Sequence, residues 1–109
     1  MLPKANRLIK KKDFKIVLKK GRKIFAGPIW LMFKKNNLGL TRVGFVVGLK
    51  ISKKATERNK IKRRLRSAFR CFLKEVSGYD IIIGVEPKIK EKKISEIVRG
   101  LNDLLLRIK

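Results

Sequence analysis

The chain has 109 residues, 44% of them hydrophobic, which is enough for one modest core, so a single domain over residues 1–109 is expected. Thirty-one Lys and Arg residues against eight Asp and Glu give a formal charge of +23, and this self-repulsion favours an anionic partner. One cysteine excludes an internal disulfide, and the lack of histidine excludes a zinc finger and the commonest general base.

The charge and the apolar residues are unevenly distributed along the chain. No apolar run approaches the roughly 18 residues of a membrane span, and the first six residues have no apolar signal core, so a cytoplasmic protein without a membrane partner is expected. Residues 1–77 contain 24 Lys and Arg and 3 acids, whereas residues 78–109 contain 7 and 5. The first two thirds therefore carry the predicted anion-binding surface, and the last third is predicted to be scaffold.

The first predicted element is a short helix. Phe14, Val17 and Leu18 have the i, i+3, i+4 spacing of one helical face, and Gly21 follows as a stop signal. We predict helix 1 over residues 11–20.

Three strands are predicted next. Residues 22–26 and 29–33 are short apolar runs on either side of the turn pair Gly27-Pro28. After a loop, residues 42–48 are rich in β-branched and aromatic side chains, although two glycines weaken this third strand.

The pattern then becomes helical from Thr56, a predicted N-cap, to about Val76, where Ser77-Gly78 ends it. A continuous apolar run over residues 79–85 predicts a strand covered on both faces. A final amphipathic helix follows over residues 94–108. The predicted order is αβββαβα, an α/β (α+β) sandwich with helices packed on a four-stranded sheet.

The long helix has a continuous cationic edge. At about 100° per residue, one i, i+4 row runs beside the apolar arc, with two further polar residues next to it. The row is Arg58, Lys62, Arg66 and Arg70, and its neighbours are Asn59 and Arg63. A solvated surface would interleave acids, but here they occur only at the helix ends, as Glu57 and Glu75. The pattern favours polyanion binding over a merely solvated face.

This helix and its surroundings resemble the bacterial ribonuclease P protein family. The stretch from Arg58 to Arg63, with Arg66, is similar to the Arg-Asn-Arg signature helix of that family. Two departures occur: Lys60 replaces the third signature residue, and Leu49-Lys50 aligns with a pair of lysines. Other matching blocks are Asn6-Arg7-Leu8, Asp13-Phe14, Lys20-Gly21-Arg22, Arg42-Val43-Gly44 and Asp80-Ile81-Ile82.

The resemblance implies an accessory subunit of the ribonucleoprotein that removes the 5′ leader of precursor tRNA. Its implied partners are the ribonuclease P RNA and the leader, with no protein partner required. The RNA and Mg²⁺, held mainly by the RNA, would perform the hydrolysis, and no catalytic side chain is expected. The fold would contain a left-handed crossover from strand 3 to strand 4, against the general right-handed rule. The implied RNA-binding residues are Lys50, Arg58, Asn59, Lys60, Lys62, Arg63, Arg66 and Arg70.

The resemblance also implies a leader-binding cleft between the signature helix and the sheet, lined by Phe14, Leu18 and Met32. A cationic groove with apolar or aromatic platforms is suited to single-stranded RNA. Two of these three side chains are aliphatic where the family often has aromatics, so weaker stacking is expected. The alternative is that Phe14, Leu18 and Trp30 are ordinary core residues.

The remaining candidates indicate structural roles or other classes of protein. Cys71, beside Arg70, has no histidine to activate it, and Asp13 and Asp80 are interpreted as a helix-start and a strand-edge residue. A ribosomal protein would share the size and charge. A helix-turn-helix DNA-binding protein would need a second helix just before the basic one, where the sequence instead predicts a strand.

Overall fold

The computed structural model of the chain describes residues 4–8, 10–70, 72 and 76–108. The helices and strands are α1 (Lys11–Lys20), β1 (Arg22–Ala26), β2 (Ile29–Lys35), β3 (Arg42–Val46), α2 (Ala55–Arg70), β4 (Tyr79–Val85) and α3 (Ile94–Ile108). Short 3-10 turns occur at Lys4–Asn6 and Pro87–Glu91. The predicted αβββαβα order is confirmed. None of the helices in the described ranges is long and apolar enough to cross a membrane.

The four strands form one mixed sheet in the order β1-β2-β4-β3. β2 is antiparallel to both β1 and β4, whereas β3 and β4 are parallel. The chain therefore passes through α2 on its way from β3 to the parallel neighbouring strand β4. The left-handed crossover that the resemblance implies is this connection. The strand β3 and a turn precede α2, so the described chain has no helix there that could form a helix-turn-helix with it.

The main core lies between one face of the sheet and the helices α2 and α3. Alternation along β4 directs Ile81 and Ile83 to this face, where they meet Leu65 and Phe69 of α2 and Leu101 of α3. All five side chains are completely buried. Burial of this apolar face, at about 25 cal/mol per Å² of surface removed from water, holds both helices on the sheet.

A smaller core lies on the opposite face of the sheet, under α1. It contains Leu8, Val17 and Ile82, with Met32 packed against them. Val17 is completely buried, so it fixes which side of α1 faces the sheet. Helices therefore cover both faces, as a sandwich requires.

Two strand boundaries differ from the prediction, one because of strand pairing and one because of a turn. β2 extends past Phe33 to Lys35, since its last residues pair with the start of β4. β3 ends at Val46 and not at Gly48, because the chain turns there: the Ile51 amide donates a hydrogen bond to the Gly48 carbonyl over 3.1 Å.

The boundaries of α2 also differ. The helix begins at Ala55, so Thr56 lies inside the first turn and the predicted N-cap is wrong. Ser52 acts just before the helix, where its hydroxyl accepts a hydrogen bond from the Lys54 amide over 3.1 Å. Within the described residues the helix extends to Arg70, and the predicted end near Val76 is too late. Phe72 already lies in a turn, yet Phe72 and Val76 are both buried in the main core, which explains the continued apolar spacing.

Candidate RNA-binding surfaces

The outer side of α2 is cationic over its whole length. Ile61, Leu65 and Phe69 anchor the inner side in the main core, so the polar side chains point outwards. From Arg58 to the end of the helix at Arg70, the sequence contains no acid. The exposed residues of this outer side, which we call the α2 strip, are Asn59, Lys60, Arg63, Arg64, Arg66 and Arg70.

The α2 strip has two adjoining shallow grooves. One is lined by Asn59, Arg63 and Arg66, together with Thr56. The next is lined by Arg63, Arg66 and Arg70, together with Ser67. Arg63 and Arg66 therefore stand between two concave surfaces into which guanidinium groups can direct hydrogen bonds, a geometry suited to phosphate.

Arg66 is held in place by an aromatic ring. Its guanidinium carbon lies 5.9 Å from the ring centroid of Phe45 in β3. The Phe45 ring in turn meets Phe69 edge to face, with the two centroids 6.3 Å apart. The sheet thus orients one predicted RNA-binding residue through a cation–π contact.

Arg58 and Lys62 are less accessible to an RNA partner than the other predicted cations of α2, since both are partly buried. The Nη1 group of Arg58 donates hydrogen bonds to the carbonyls of Ser52 and Lys53, each over 3.0 Å. Arg58 therefore fastens the preceding loop to α2. Nearby, the Ser52 hydroxyl donates a hydrogen bond to Glu57, and this bond holds the pKa of the Glu57 carboxyl below its ordinary value.

Lys50 does not line either groove of the α2 strip. Lys50 lies in the exposed turn after β3 and lines a groove with Leu49, Trp30 and Val46. Trp30 and Val46 belong to the α1 face of the sheet. Lys50 therefore borders the end of the sheet beside Trp30, in a groove that no residue of the α2 strip lines.

The side chains predicted to line a cleft beside α2 lie on the other face of the sheet. The space between α2 and the sheet is filled by the main core, whereas Phe14 and Met32 lie on the other face, packed against the smaller core. Phe14 and Met32 therefore lie between α1 and the sheet and do not face α2, beside which the resemblance had implied the cleft. Sequence periodicity identifies which residues share a face of a strand but does not show which helix covers that face.

Phe14 depends on a glycine beneath it. A Cβ atom on Gly44 would stand 2.2 Å from the tip of the Phe14 ring, so any other residue at this position of β3 would displace it. The ring remains partly exposed. The glycine that weakened the predicted third strand thus makes room for an aromatic side chain at the cleft.

Leu18 and Trp30 also line the accessible surface of this face. Leu18 is 52% exposed, so its alternative assignment to the core is wrong. Trp30 is partly exposed and packs against Gly84, where a Cβ atom would stand 1.9 Å from the indole ring. Met32 is partly exposed between them and the small core.

An arginine on the same face ties α1 to the sheet. Arg42 donates two hydrogen bonds to Asp80, over 2.8 and 2.6 Å, and one to Asp13 of α1 over 3.2 Å. The Asn36 amide donates to Asp80 over 2.9 Å. Burial alone would raise the pKa of Asp80, but the bonds from Arg42 and Asn36 outweigh burial and hold it below its ordinary value. Hydrogen bonding to Asp80 raises the pKa of Arg42 despite its partial desolvation.

The two acids singled out in the sequence are therefore counter-ions of one arginine. Asp13 does lie in the first turn of α1, as expected, while Asp80 lies in a central strand and is buried. No group of three or more Cys, Asp or Glu side chains that could hold a metal ion is found among the described residues. Cys71 lies outside them.

Comparison with known proteins identifies the family. A sequence model of the Ribonuclease P family matches residues 2–109. The chain belongs to the ribonuclease P protein family. A ribonuclease P protein component from Legionella pneumophila strain Corby is 39% identical over 99 residues, covering 91% of this chain and 85% of that protein. One from Rippkaea orientalis is 32% identical over 114 residues, covering 99% and 90%.

Solved structures of ribonuclease P proteins share the fold. The Thermotoga maritima protein in complex with 1-(4-fluorophenyl)-2-thiourea is 31% identical with a TM-score of 0.85, covering 94% of this chain and all of that one. The Staphylococcus aureus protein at 2.0 Å is 29% identical with a TM-score of 0.86, covering 97% of each chain. The chain is accordingly the accessory protein subunit of a tRNA 5′-processing ribonucleoprotein, with ribonuclease P RNA as its partner.

Sequence reasoning missed two features of this ribonuclease P protein. One is the hub formed by Arg42, although Arg42 and Asp80 both fall in blocks that matched the family. The other is the pair Lys23 and Phe25 beside Trp30: the Lys23 ammonium lies 5.1 Å from the Phe25 centroid and 4.7 Å from that of Trp30. The i, i+2 spacing within β1 could have placed Lys23 and Phe25 on one face, but only the β1–β2 register brings Trp30 to them.

Proposed function

We propose that the α2 strip binds the ribonuclease P RNA and that the cleft between α1 and the sheet holds the 5′ leader of precursor tRNA. The RNA subunit, with Mg²⁺, performs the hydrolysis. The protein contributes affinity for both RNAs and positions the leader for cleavage.

The observation that carries the first part is the composition of the α2 strip. The strip combines exposed arginines and lysines with Asn59 and contains no interleaved acid. Its arginines line two adjoining grooves. Like charges at i, i+4 spacing repel one another, by a few tenths of a kcal/mol per pair. An RNA backbone relieves this repulsion and accepts charge-assisted hydrogen bonds, with release of its counterions.

The second part is supported by the partly exposed side chains of the cleft. Phe14 and Trp30 are seated on glycines and Met32 lies on the same face, so this surface is apolar, pre-formed and open. Lys50 borders the groove beside Trp30, and Lys23 covers its ring. Aromatic platforms next to cations bind single strands by stacking the bases while neutralising the phosphates.

The positive charge of the protein lowers the Mg²⁺ concentration that the ribonucleoprotein requires. Magnesium supplies the ribonucleoprotein with a metal-activated nucleophile and with neutralisation of phosphate charge. Bound lysines and arginines also neutralise phosphates, so the protein lowers the concentration of ions that the RNA needs to fold and to accept the substrate. Asp13 and Asp80 do not take part, because Arg42 engages both of them.

Reconstitution tests this function. The protein is added to a bacterial ribonuclease P RNA, and 5′ maturation of precursor tRNA is followed across a magnesium titration. We expect no cleavage by the protein alone, and cleavage by the mixture at Mg²⁺ concentrations at which the RNA alone is nearly inactive. Robust cleavage by RNA-free protein would contradict the proposal, as would an unchanged magnesium requirement in the mixture.

A further inference from the structure

A second cationic surface covers the outer side of α1. Val17 marks the inner side, and at about 100° per residue four lysines fall within an arc of about 100° on the opposite side. We call this set the α1 strip. It consists of Lys11, Lys12, Lys15 and Lys19, all of them exposed.

The α1 strip is not neutralised by its own helix. The acid within α1 is Asp13, which faces the sheet and pairs with Arg42 over 3.2 Å. None of the ion pairs formed among the described residues includes a lysine of the strip. The four ammonium groups are therefore available to an external anion.

These charges oppose the stability of α1 itself. Lys11, Lys15 and Lys19 form one i, i+4 row of like charges. Cations in the first turn also oppose the helix dipole, and the cap residue Lys10 makes no compensating side-chain hydrogen bond to the helix. Both effects destabilise α1, which has only 10 residues. A bound polyanion neutralises the lysines and so removes the repulsion along the row.

The position of the strip indicates which RNA it meets. α1 and α2 lie on opposite faces of the sheet, so an RNA bound along the α2 strip does not lie on the α1 strip. Around α1, the strip is adjacent to the edge formed by Phe14 and Leu18, which lines the cleft. One helix thus presents an apolar edge for bases beside a cationic side for phosphates, the combination that single strands require.

We propose that the α1 strip binds the phosphates of the 5′ leader, beyond the nucleotides whose bases occupy the cleft. This inference rests on the proposed function and adds a second, sequence-independent contact to it. The strip makes the affinity of the holoenzyme for precursor tRNA increase with leader length. It also makes that increase dependent on salt, because each neutralised phosphate releases counterions.

The test uses a variant that removes one lysine row, K11Q/K15Q/K19Q, in holoenzyme reconstituted with ribonuclease P RNA. Glutamine preserves helix propensity and removes repulsion, so α1 should remain folded, as circular dichroism can verify. Binding is measured across a KCl series for precursor tRNAs with a short leader that ends in the cleft and with a long leader. For the long leader we expect about a tenfold loss of affinity and a salt slope lower by about 2, from about 0.7 per lost contact. Precursor tRNA with the short leader and mature tRNA should bind the variant holoenzyme with the same affinity as the wild-type holoenzyme.

A matched control, K88Q/K93Q/R99Q, removes the same charge from exposed positions in the C-terminal third. It should leave both leaders unaffected. Equal losses in the two triple variants would overturn the proposal and identify the α1 strip as an ordinary solvated face. Weaker binding of the RNA subunit with an unchanged dependence on leader length would overturn it in favour of an RNA-subunit contact.

Failure of the underlying function gives a different pattern. If the cleft does not bind the leader at all, Phe14→Ala will also leave the preference for precursor over mature tRNA unchanged. If only the inference about the α1 strip is wrong, Phe14→Ala will reduce that preference while the lysine variant will not.

Discussion

Two arginines that are five positions apart on one helix have different surroundings. Arg63 stands exposed between the two grooves of the α2 strip, whereas Arg58 is partly buried and donates to the carbonyls of Ser52 and Lys53. Arg63→Ala should therefore weaken binding of the RNA subunit by about 1–3 kcal/mol, the worth of a charge-assisted hydrogen bond, without loss of fold stability. Binding at constant salt and thermal unfolding measure the two quantities.

Arg58→Ala serves as the comparison. It removes hydrogen bonds that fasten the loop before α2, so we expect the free protein to lose about 1 kcal/mol of stability. A double variant of Arg58 and Arg63 that binds the RNA subunit like wild type would show that this part of α2 is only a solvated face. Equal stability of the two single variants would refute the distinction drawn here.

Phe14 separates leader binding from core packing. If a leader base stacks on this ring, Phe14→Ala should weaken binding of precursor tRNA to the holoenzyme by about 1–3 kcal/mol and leave binding of mature tRNA unchanged. The measured quantity is the ratio of the two affinities. A core role would appear instead as roughly 3–5 kcal/mol of lost stability with an unchanged ratio.

Phe33 is the matched control for Phe14. It lies on the opposite face of the same sheet, packed against the main core and edge to face with Tyr79 at 6.0 Å. Phe33→Ala should destabilise the protein without changing the ratio between precursor and mature tRNA. If the two variants behave alike, the cleft assignment fails.

Among the elements, those whose patterns are local were predicted with the correct bounds. α1, β1, β4 and α3 have the bounds that periodicity indicated. The end of β2 depends on pairing with β4, and the end of α2 is obscured because Phe72 and Val76 remain in the core outside the helix. Such features require the partner surfaces, which a single sequence does not display.

In the candidate site, too, features with a local sequence pattern were predicted, and features that depend on contacts across the sheet were not. Helical spacing predicted that the outer side of α2 is cationic, but it did not show that Arg58 and Lys62 are partly buried or that Arg64 is exposed there. The family resemblance implied a cleft beside α2 lined by Phe14, Leu18 and Met32, whereas the structure places Phe14 and Met32 on the face that α1 covers. The roles of Gly44 and Gly84 as seats for aromatic rings follow from close approaches across the sheet, which have no local sequence signal.

The docking of α1 on the sheet should depend on pH through Asp80. The folded protein holds the pKa of this carboxyl below 3.8, its ordinary value, so its contribution to stability is full above that pH and is lost as pH falls through the lowered value. Asp80→Asn leaves Arg42 with a poorer partner and should cost about 1–3 kcal/mol at neutral pH. The variant should also show a flatter acid limb in a plot of stability against pH.

Glu96 provides the control for that prediction. Its pKa is also lowered, chiefly by a hydrogen bond from the Lys93 backbone, but the side chain is exposed at the start of α3. Glu96→Gln should hardly change stability, because water screens exposed charges. Denaturant unfolding from pH 7 down to about pH 2, through the lowered pKa of Asp80, compares the two variants. Parallel curves for Asp80→Asn and wild type would contradict the role of Asp80.

At the scale of the whole molecule, nine of the 31 Lys and Arg residues form two strips on opposite sides of one sheet. The α2 strip occupies one side and the α1 strip the other, so the free protein carries repulsion on both surfaces and its RNA partners relieve it. Folding and anion binding are consequently coupled, because an anion that binds only the folded state stabilises it by mass action.

Tripolyphosphate, a multivalent anion without bases, should therefore raise the melting temperature of the RNA-free protein at an ionic strength matched with NaCl. The stabilisation is about 2.7 kcal/mol when the anion reaches 100 times its dissociation constant. A variant with Lys60→Gln, Arg63→Gln and Arg64→Gln should melt higher than wild type without the anion, since repulsion is relieved, and should gain less from it. A melting temperature that responds only to ionic strength, equally in both proteins, would show that diffuse screening and not a bound anion stabilises the fold.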